Sequence, residues 1–312
     1  MLGCGFALLS VPAHAILFVD SDDPSHNTGA PTGAFEDGGW QYLGTFGAFL
    51  GTAIAPQYFI TSQHIGVQGS TFTQGGVFTG GATVDYGIDA TVNAGIGYWD
   101  IAGSDLRIYK ITGTFAEYAP LHTGSALGEE ALLTGRGGVR GSALFDGPKL
   151  KGYLHTAADG IARWGTNTIS DITGTGAGTL LVADFDGTPG LADEAGLSAG
   201  DSGGGLFVND GGVWKLAGVN YAVDGFFHEP GIPADSSSFS ASLLDRGGYF
   251  MGSDAEGWQF QPEIGPDHPS RLYFASISSN ASAIQSIIAV PEPGSAVLAG
   301  LPVGVQAPRP RR

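Results

Sequence analysis

The chain has 312 residues, 42% hydrophobic and only 14% charged, with 53 glycines; that allows one large β domain or two packed barrels with a real core, and argues against long helices. Its formal net charge is −17, and Arg309, Arg311 and Arg312 put three of its 13 basic residues in the last four positions, which argues against nucleic acid and anionic membrane surfaces as partners of the folded body. Cys4 is the single cysteine, so no intrachain disulfide is expected and stability must come from the core.

The apolar run from Leu2 ends in Ala13-His14-Ala15, the small-x-small pattern of a signal-peptidase site. Residues 1–15 therefore read as a signal peptide truncated at its start, with a buried first strand as the alternative. Ile16-Leu17-Phe18-Val19 is a short strand candidate. The loop after it carries Asp20, Asp22, Asp23, His26 and Asn27, without the regular spacing of a calcium loop, and reads as solvated. Residues 40–46 and 49–54 read as strands split by glycine. Tyr58-Phe59-Ile60 is a further strand that delivers His64 just past its end, and 75–88 is a hairpin region. Residues 106–111 alternate apolar and polar, a half-buried strand with Asp105 at its start. An extended connection over 120–130 leads to a second set of strands at 131–138, 162–169, 179–185, 204–208, 213–221 and 239–243. The pattern is all-β: about six strands, a connector, and about six more, with no internal repeat. Residues 276–289, rich in serine, alanine and isoleucine, read as a linker to the tail at 290–312.

Ala199-Gly200-Asp201-Ser202-Gly203-Gly204-Gly205 places a serine among glycines ahead of the apolar run Leu206-Phe207-Val208. Glycine lets the backbone turn sharply and bring its N–H groups to one point. A serine there has an exposed hydroxyl with the Gly200 and Ser202 N–H groups as an oxyanion hole, the equipment of acyl transfer. A glycine-rich hairpin turn is the alternative. Serine needs a base, and histidine titrates near neutrality. Of the seven histidines, His64 alone directly follows an apolar strand. A carboxylate should hold the other ring nitrogen; Asp105 and Asp100 compete for that place.

Gly51-Thr52-Ala53-Ile54-Ala55-Pro56 through His64, Asp105-Leu106-Arg107-Ile108-Tyr109-Lys110-Ile111 and Gly200-Asp201-Ser202-Gly203-Gly204 resemble the three signature blocks of the trypsin/chymotrypsin-like serine proteases, with 41 residues from His64 to Asp105 and 97 from Asp105 to Ser202. The resemblance covers roughly residues 16–251, within a domain read over 16–275. Thr61-Ser62-Gln63-His64-Ile65 replaces the family's usual Thr-Ala-Ala-His-Cys. The resemblance implies two six-stranded antiparallel β-barrels with the active site in the cleft between them. It implies His64 as general base, Asp105 as its orienting acid, Ser202 as nucleophile, and no cofactor or metal. It favours Asp105 over Asp100, because the family's acid is followed directly by alternating apolar residues ending in a basic one. It also implies that cleavage after Ala15 creates an Ile16 ammonium that pairs with Asp201. An ungapped count puts Gly196 at the base of the specificity pocket and the strand ending at Tyr221 along its wall, continuing into Val223. Asp193 and Glu194 nearby would favour a basic substrate side chain, or form a solvent-facing acidic loop.

Val290-Pro291-Glu292-Pro293, the apolar run 294–305 and the terminal arginines resemble the PEP-CTERM sorting signal of Gram-negative, exopolysaccharide-producing bacteria. The apolar run is 12 residues with Pro302 inside, short of the roughly 20 that span a bilayer. These resemblances together imply an exported, monomeric serine endopeptidase acting on polypeptides in the periplasm, at the cell surface or in the matrix, processed by a signal peptidase and an exosortase. The altered histidine block keeps a second expectation open, a non-catalytic trypsin-fold protein that binds surface or matrix components.

Overall fold

Short apolar runs punctuated by glycine pair with their chain neighbours as antiparallel hairpins. The computed structural model, which describes residues 16–289 except 79–81, 190, 232–237 and 256, combines such hairpins with antiparallel pairing between strands distant in the chain, such as Tyr58–Ser62 with Leu106–Lys110. The signal peptide read at 1–15 and the sorting tail read at 290–312 lie outside the described residues. The first part of the chain forms β1 (Leu17–Phe18), β2 (Leu43–Phe46), β3 (Phe49–Ala55), β4 (Tyr58–Ser62), β5 (Thr71–Gln74), β6 (Val84–Gly87), β7 (Tyr98–Asp100) and β8 (Leu106–Lys110). All but β1 join one seven-stranded sheet in the order β6-β5-β2-β3-β4-β8-β7. The sheet curls: Ile88 bridges Ile111, and the Thr112 N–H donates to the Gly87 carbonyl at 2.7 Å. Its concave face is filled by Phe46, Phe59, Phe72 and Tyr109, with Phe59 stacked on Phe72 at 4.1 Å.

The connector runs beside the second half, where Leu121 bridges Leu216. Then come β9 (Glu130–Gly135), β10 (Arg140–Asp146), β11 (Lys149–His155), β12 (Arg163–Thr175), β13 (Gly178–Phe185), β14 (Ala195–Gly196), β15 (Gly205–Asp210) and β16 (Val213–Val223). The last strands are β17 (Phe226–His228), β18 (Phe239–Leu243), β19 (Phe250–Ser253), β20 (Gly257–Phe260) and β21 (Ser270–Ser276). Six of these close into a barrel, β12-β13-β21-β16-β15-β9. Closure leaves no free edge, and the inward side chains, among them Leu133, Leu181, Leu206 and Phe274, are fully or almost fully buried. A further hydrophobic cluster joins sheet to barrel, with Leu43, Ile60 and Leu106 of the sheet against Leu132, Phe207 and Leu216 of the barrel.

Three features depart from the sequence reading. Among the described residues one closed six-stranded barrel is present where two were expected; the first half is a curled seven-stranded sheet. A third sheet, β10-β11-β18-β17-β19-β20, was not anticipated at all. It combines two insertions into the barrel, one between β9 and β12 and the other between β16 and β21, so its pairing is invisible to local pattern. The linker read at 276–289 is instead a helix, α1 (Ile277–Ile288). Ser276 caps it by accepting from the Ser279 N–H, and Ile277 and Ile284 are fully buried with Ile287 and Ile288 packed beside them. Serine and isoleucine lower helix propensity, but burial of one face outweighs that.

Candidate active site

β4 and β8 run antiparallel with Ser62 opposite Leu106, so the residues beyond the two strand ends meet. Gln63 donates its N–H to the Asp105 carbonyl at 2.7 Å. The His64 N–H donates to Asp105 Oδ1 at 2.9 Å, and His64 Nδ1 lies 2.6 Å from Asp105 Oδ2. On the far side of the ring, Nε2 is 2.8 Å from Ser202 Oγ. Asp105 is nearly buried while His64 stays open to solvent, with side-chain exposures of 7% and 39%. The competing Asp100 is taken by Arg107, which reaches it with Nε at 2.6 Å and Nη2 at 3.0 Å and lies over the Tyr98 ring.

Ser202 belongs to the barrel, on the loop entering β15; Ser62 ties that loop to the sheet and Asn220 ties it to the barrel. Ser62 Oγ donates to the Asn220 carbonyl at 2.6 Å and accepts from the Gly203 N–H at 3.2 Å. Asn220 Nδ2 donates to the carbonyls of Thr134 and Asp201 at 2.7 and 2.8 Å. Gly203 has φ +79°, and a Cβ there would stand 2.3 Å from Thr61 Oγ1 and 2.4 Å from the Leu50 carbonyl oxygen. Gly200 also has a left-handed φ of +101°, open to glycine without steric cost. Among the described residues, the Gly200 and Ser202 N–H groups donate to nothing.

The Asp201 carboxylate is buried. It accepts from the Gly137 N–H at 2.7 Å, the Ser198 N–H at 2.8 Å and the Ser198 hydroxyl at 3.1 Å. The Ile16 N–H also faces the carboxylate and draws its pKa down, the smallest of these effects, and Ile16 itself is fully buried. Burial pushes the Asp201 carboxyl up to about 6, against the pull of these donors. Ile16 holds φ +55°, a costly backbone for a β-branched residue.

A cavity of about 230 Å³ opens beside Ser202, and both Tyr221 and Val223 line it. Gly196 does not: it lies in β14, paired with Leu17, and the wall begins one residue later at Leu197. Asp193 and Glu194 also face elsewhere. Asp193 holds His26 at 2.7 Å, and Glu194 accepts the N–H groups of Asp186, Gly187 and Thr188. An ungapped count cannot anticipate this, because the backbone of Asp186, Gly187 and Thr188 wraps the Glu194 carboxylate and His26 takes Asp193. The sequence reading missed Ser62, Asn220 and Ser198, polar residues whose partners are 141, 86 and 60 positions away. It also missed His155 and Ser240, which reach the cavity from the third sheet. No model of a known protein family and no curated protein matches this chain.

Proposed function

We propose that this chain is an exported serine endopeptidase of the trypsin/chymotrypsin type. The observation that carries the reading is the unbroken relay Ser202 Oγ, His64 Nε2, His64 Nδ1, Asp105 Oδ2, with links of 2.8 and 2.6 Å. In the forward step Ser202 Oγ attacks a peptide carbonyl while His64 Nε2 takes its proton. Asp105 accepts the Nδ1–H, holding the ring in the required tautomer and stabilising the imidazolium. The carbonyl oxygen, now an oxyanion, sits against the N–H groups of Gly200 and Ser202. His64 then returns the proton to the leaving amine, and water repeats the sequence to free the acyl group.

Ile16 fits the part of an activation terminus. In the intact chain its N–H already meets Asp201. Cutting the Ala15–Ile16 bond turns that amide into an ammonium and removes the dihedral that holds Ile16 at +55°. Signal-peptide removal thereby tightens the loop that carries Ser202. The proposed tail at 290–312 would direct the processed protein to the cell surface.

The test is labelling with a fluorophosphonate. The processed protein should be labelled, and Ser202→Ala should abolish the label. Absence of Ser202-dependent labelling in protein whose N-terminus is Ile16 would overturn the endopeptidase reading in favour of a binding protein.

A further inference from the structure

The far wall of the cavity beside Ser202 comes from the third sheet, through His155 of β11 and Ser240 of β18, with Phe226 of β17 at its margin. The remaining wall is largely apolar, from Leu197, Ala199, Ala222 and Val223. Among the described residues Asp201 is the only acid on the lining, and its carboxylate is occupied by Gly137, Ser198 and Ile16. No counter-ion is left there for a lysine or arginine side chain.

His155 stands between two hydroxyls, with Nε2 2.9 Å from Ser242 Oγ and Nδ1 2.8 Å from Ser240 Oγ. Ser242 is fully buried and has no other side-chain partner among the described residues. Leaving its O–H unused inside the protein would be costly, so it donates to Nε2. The ring proton then sits on Nδ1 and is given to Ser240 Oγ. That leaves the Ser240 O–H unspent, on the cavity wall. Burial pushes His155 down to about 4, so the ring stays neutral in ordinary conditions.

We propose that this cavity receives the side chain on the acyl side of the cut bond, and that Ser240, oriented by His155 and Ser242, selects an uncharged side chain ending in a carbonyl oxygen: the carboxamide of glutamine or asparagine. The inference rests on the endopeptidase reading above. A carboxylate would fit the donor, but it would be buried against a neutral ring in a chain of net charge −17, without a cation to offset desolvation. An apolar side chain of equal size leaves the Ser240 O–H without an acceptor.

The experiment uses the Ile16-terminated protein and fluorogenic peptides that differ only at that residue: Gln, Asn, Glu, Met and Arg. The Gln or Asn peptide should exceed the near-isosteric Met and Glu peptides in kcat/KM by on the order of tenfold. Ser240→Ala should lower the Gln/Met ratio by a similar factor, and Ser240→Thr, which keeps the hydroxyl, should retain most of it. Best cleavage after Arg, Met or Glu, or an unchanged ratio in Ser240→Ala, overturns the assignment. Fluorophosphonate labelling of Ser202 separates the two levels. A labelled enzyme without carboxamide preference loses this inference alone, whereas an unlabelled one loses the endopeptidase reading and this inference with it.

Discussion

Asp201 should give the uncut and cut chains opposite responses to pH. In the uncut chain only amide N–H groups and a hydroxyl face the carboxylate, and its pKa is raised from 3.8 to about 6. The folded state then keeps a proton that the unfolded chain has lost. Stability from this group is fully present below about pH 4 and is lost as pH rises through 6. At ~1.36 kcal/mol for each tenfold change the loss amounts to about 3 kcal/mol. With Ile16 as a free terminus, its ammonium favours the carboxylate, so the sign reverses: the contribution is present at neutral pH and disappears on acidification. The assay is urea unfolding between pH 4.5 and 7 on a Ser202→Ala background, comparing a chain that keeps Ala15 with one that starts at Ile16. The difference in stability between the two forms should grow by about 3 kcal/mol or more towards pH 7. Asp201→Asn should abolish the growth. Parallel pH curves for the two forms would refute the placement of Ile16 against Asp201 as the source of loop stability.

Four other outcomes follow from the geometry. Asp105→Asn should lower kcat by about 10⁴, as loss of the orienting acid does in such triads; Asp100→Asn, which breaks only the Arg107 pair, should leave kcat near its starting value in the same peptide assay. Gly203→Ala should destabilise by about 2 kcal/mol or more, because φ +79° and contacts of 2.3 and 2.4 Å must both be relieved, and it should abolish labelling of Ser202. Asn220→Ala removes the amide that bridges the carbonyls of Thr134 and Asp201, the latter keeping only the Gly204 N–H, and should cost about 1–3 kcal/mol in urea unfolding, with part of the label lost as the Ser202 loop loosens. Ile284→Ala should cost about 2–4 kcal/mol by opening a cavity under α1, whereas a residue in a solvated linker would show no change in the unfolding midpoint.

The order of His64, Asp105 and Ser202, the glycines around Ser202 and the apolar runs that form the strands are local properties, and they were legible in the sequence. A strand announces itself through alternation, and a sharp loop such as the one at Ser202 through residues that accept a left-handed backbone, as Gly200 and Gly203 do. Which carboxylate serves His64 was left to a resemblance, because Asp100 and Asp105 lie on either side of the same turn. The antiparallel register of β4 and β8 sets Asp105 against His64, while Arg107 holds Asp100. The third sheet was hidden for a related reason. β11 and β18 belong to insertions almost ninety positions apart, with Tyr153 facing Ser242, and nothing local marks two short strands as partners. For the same reason the wall of the cavity, His155 and Ser240 included, belongs to tertiary structure alone. The helix α1 was misread because propensity speaks for an isolated segment, while the burial of Ile277 and Ile284 against the rest of the molecule decides its state.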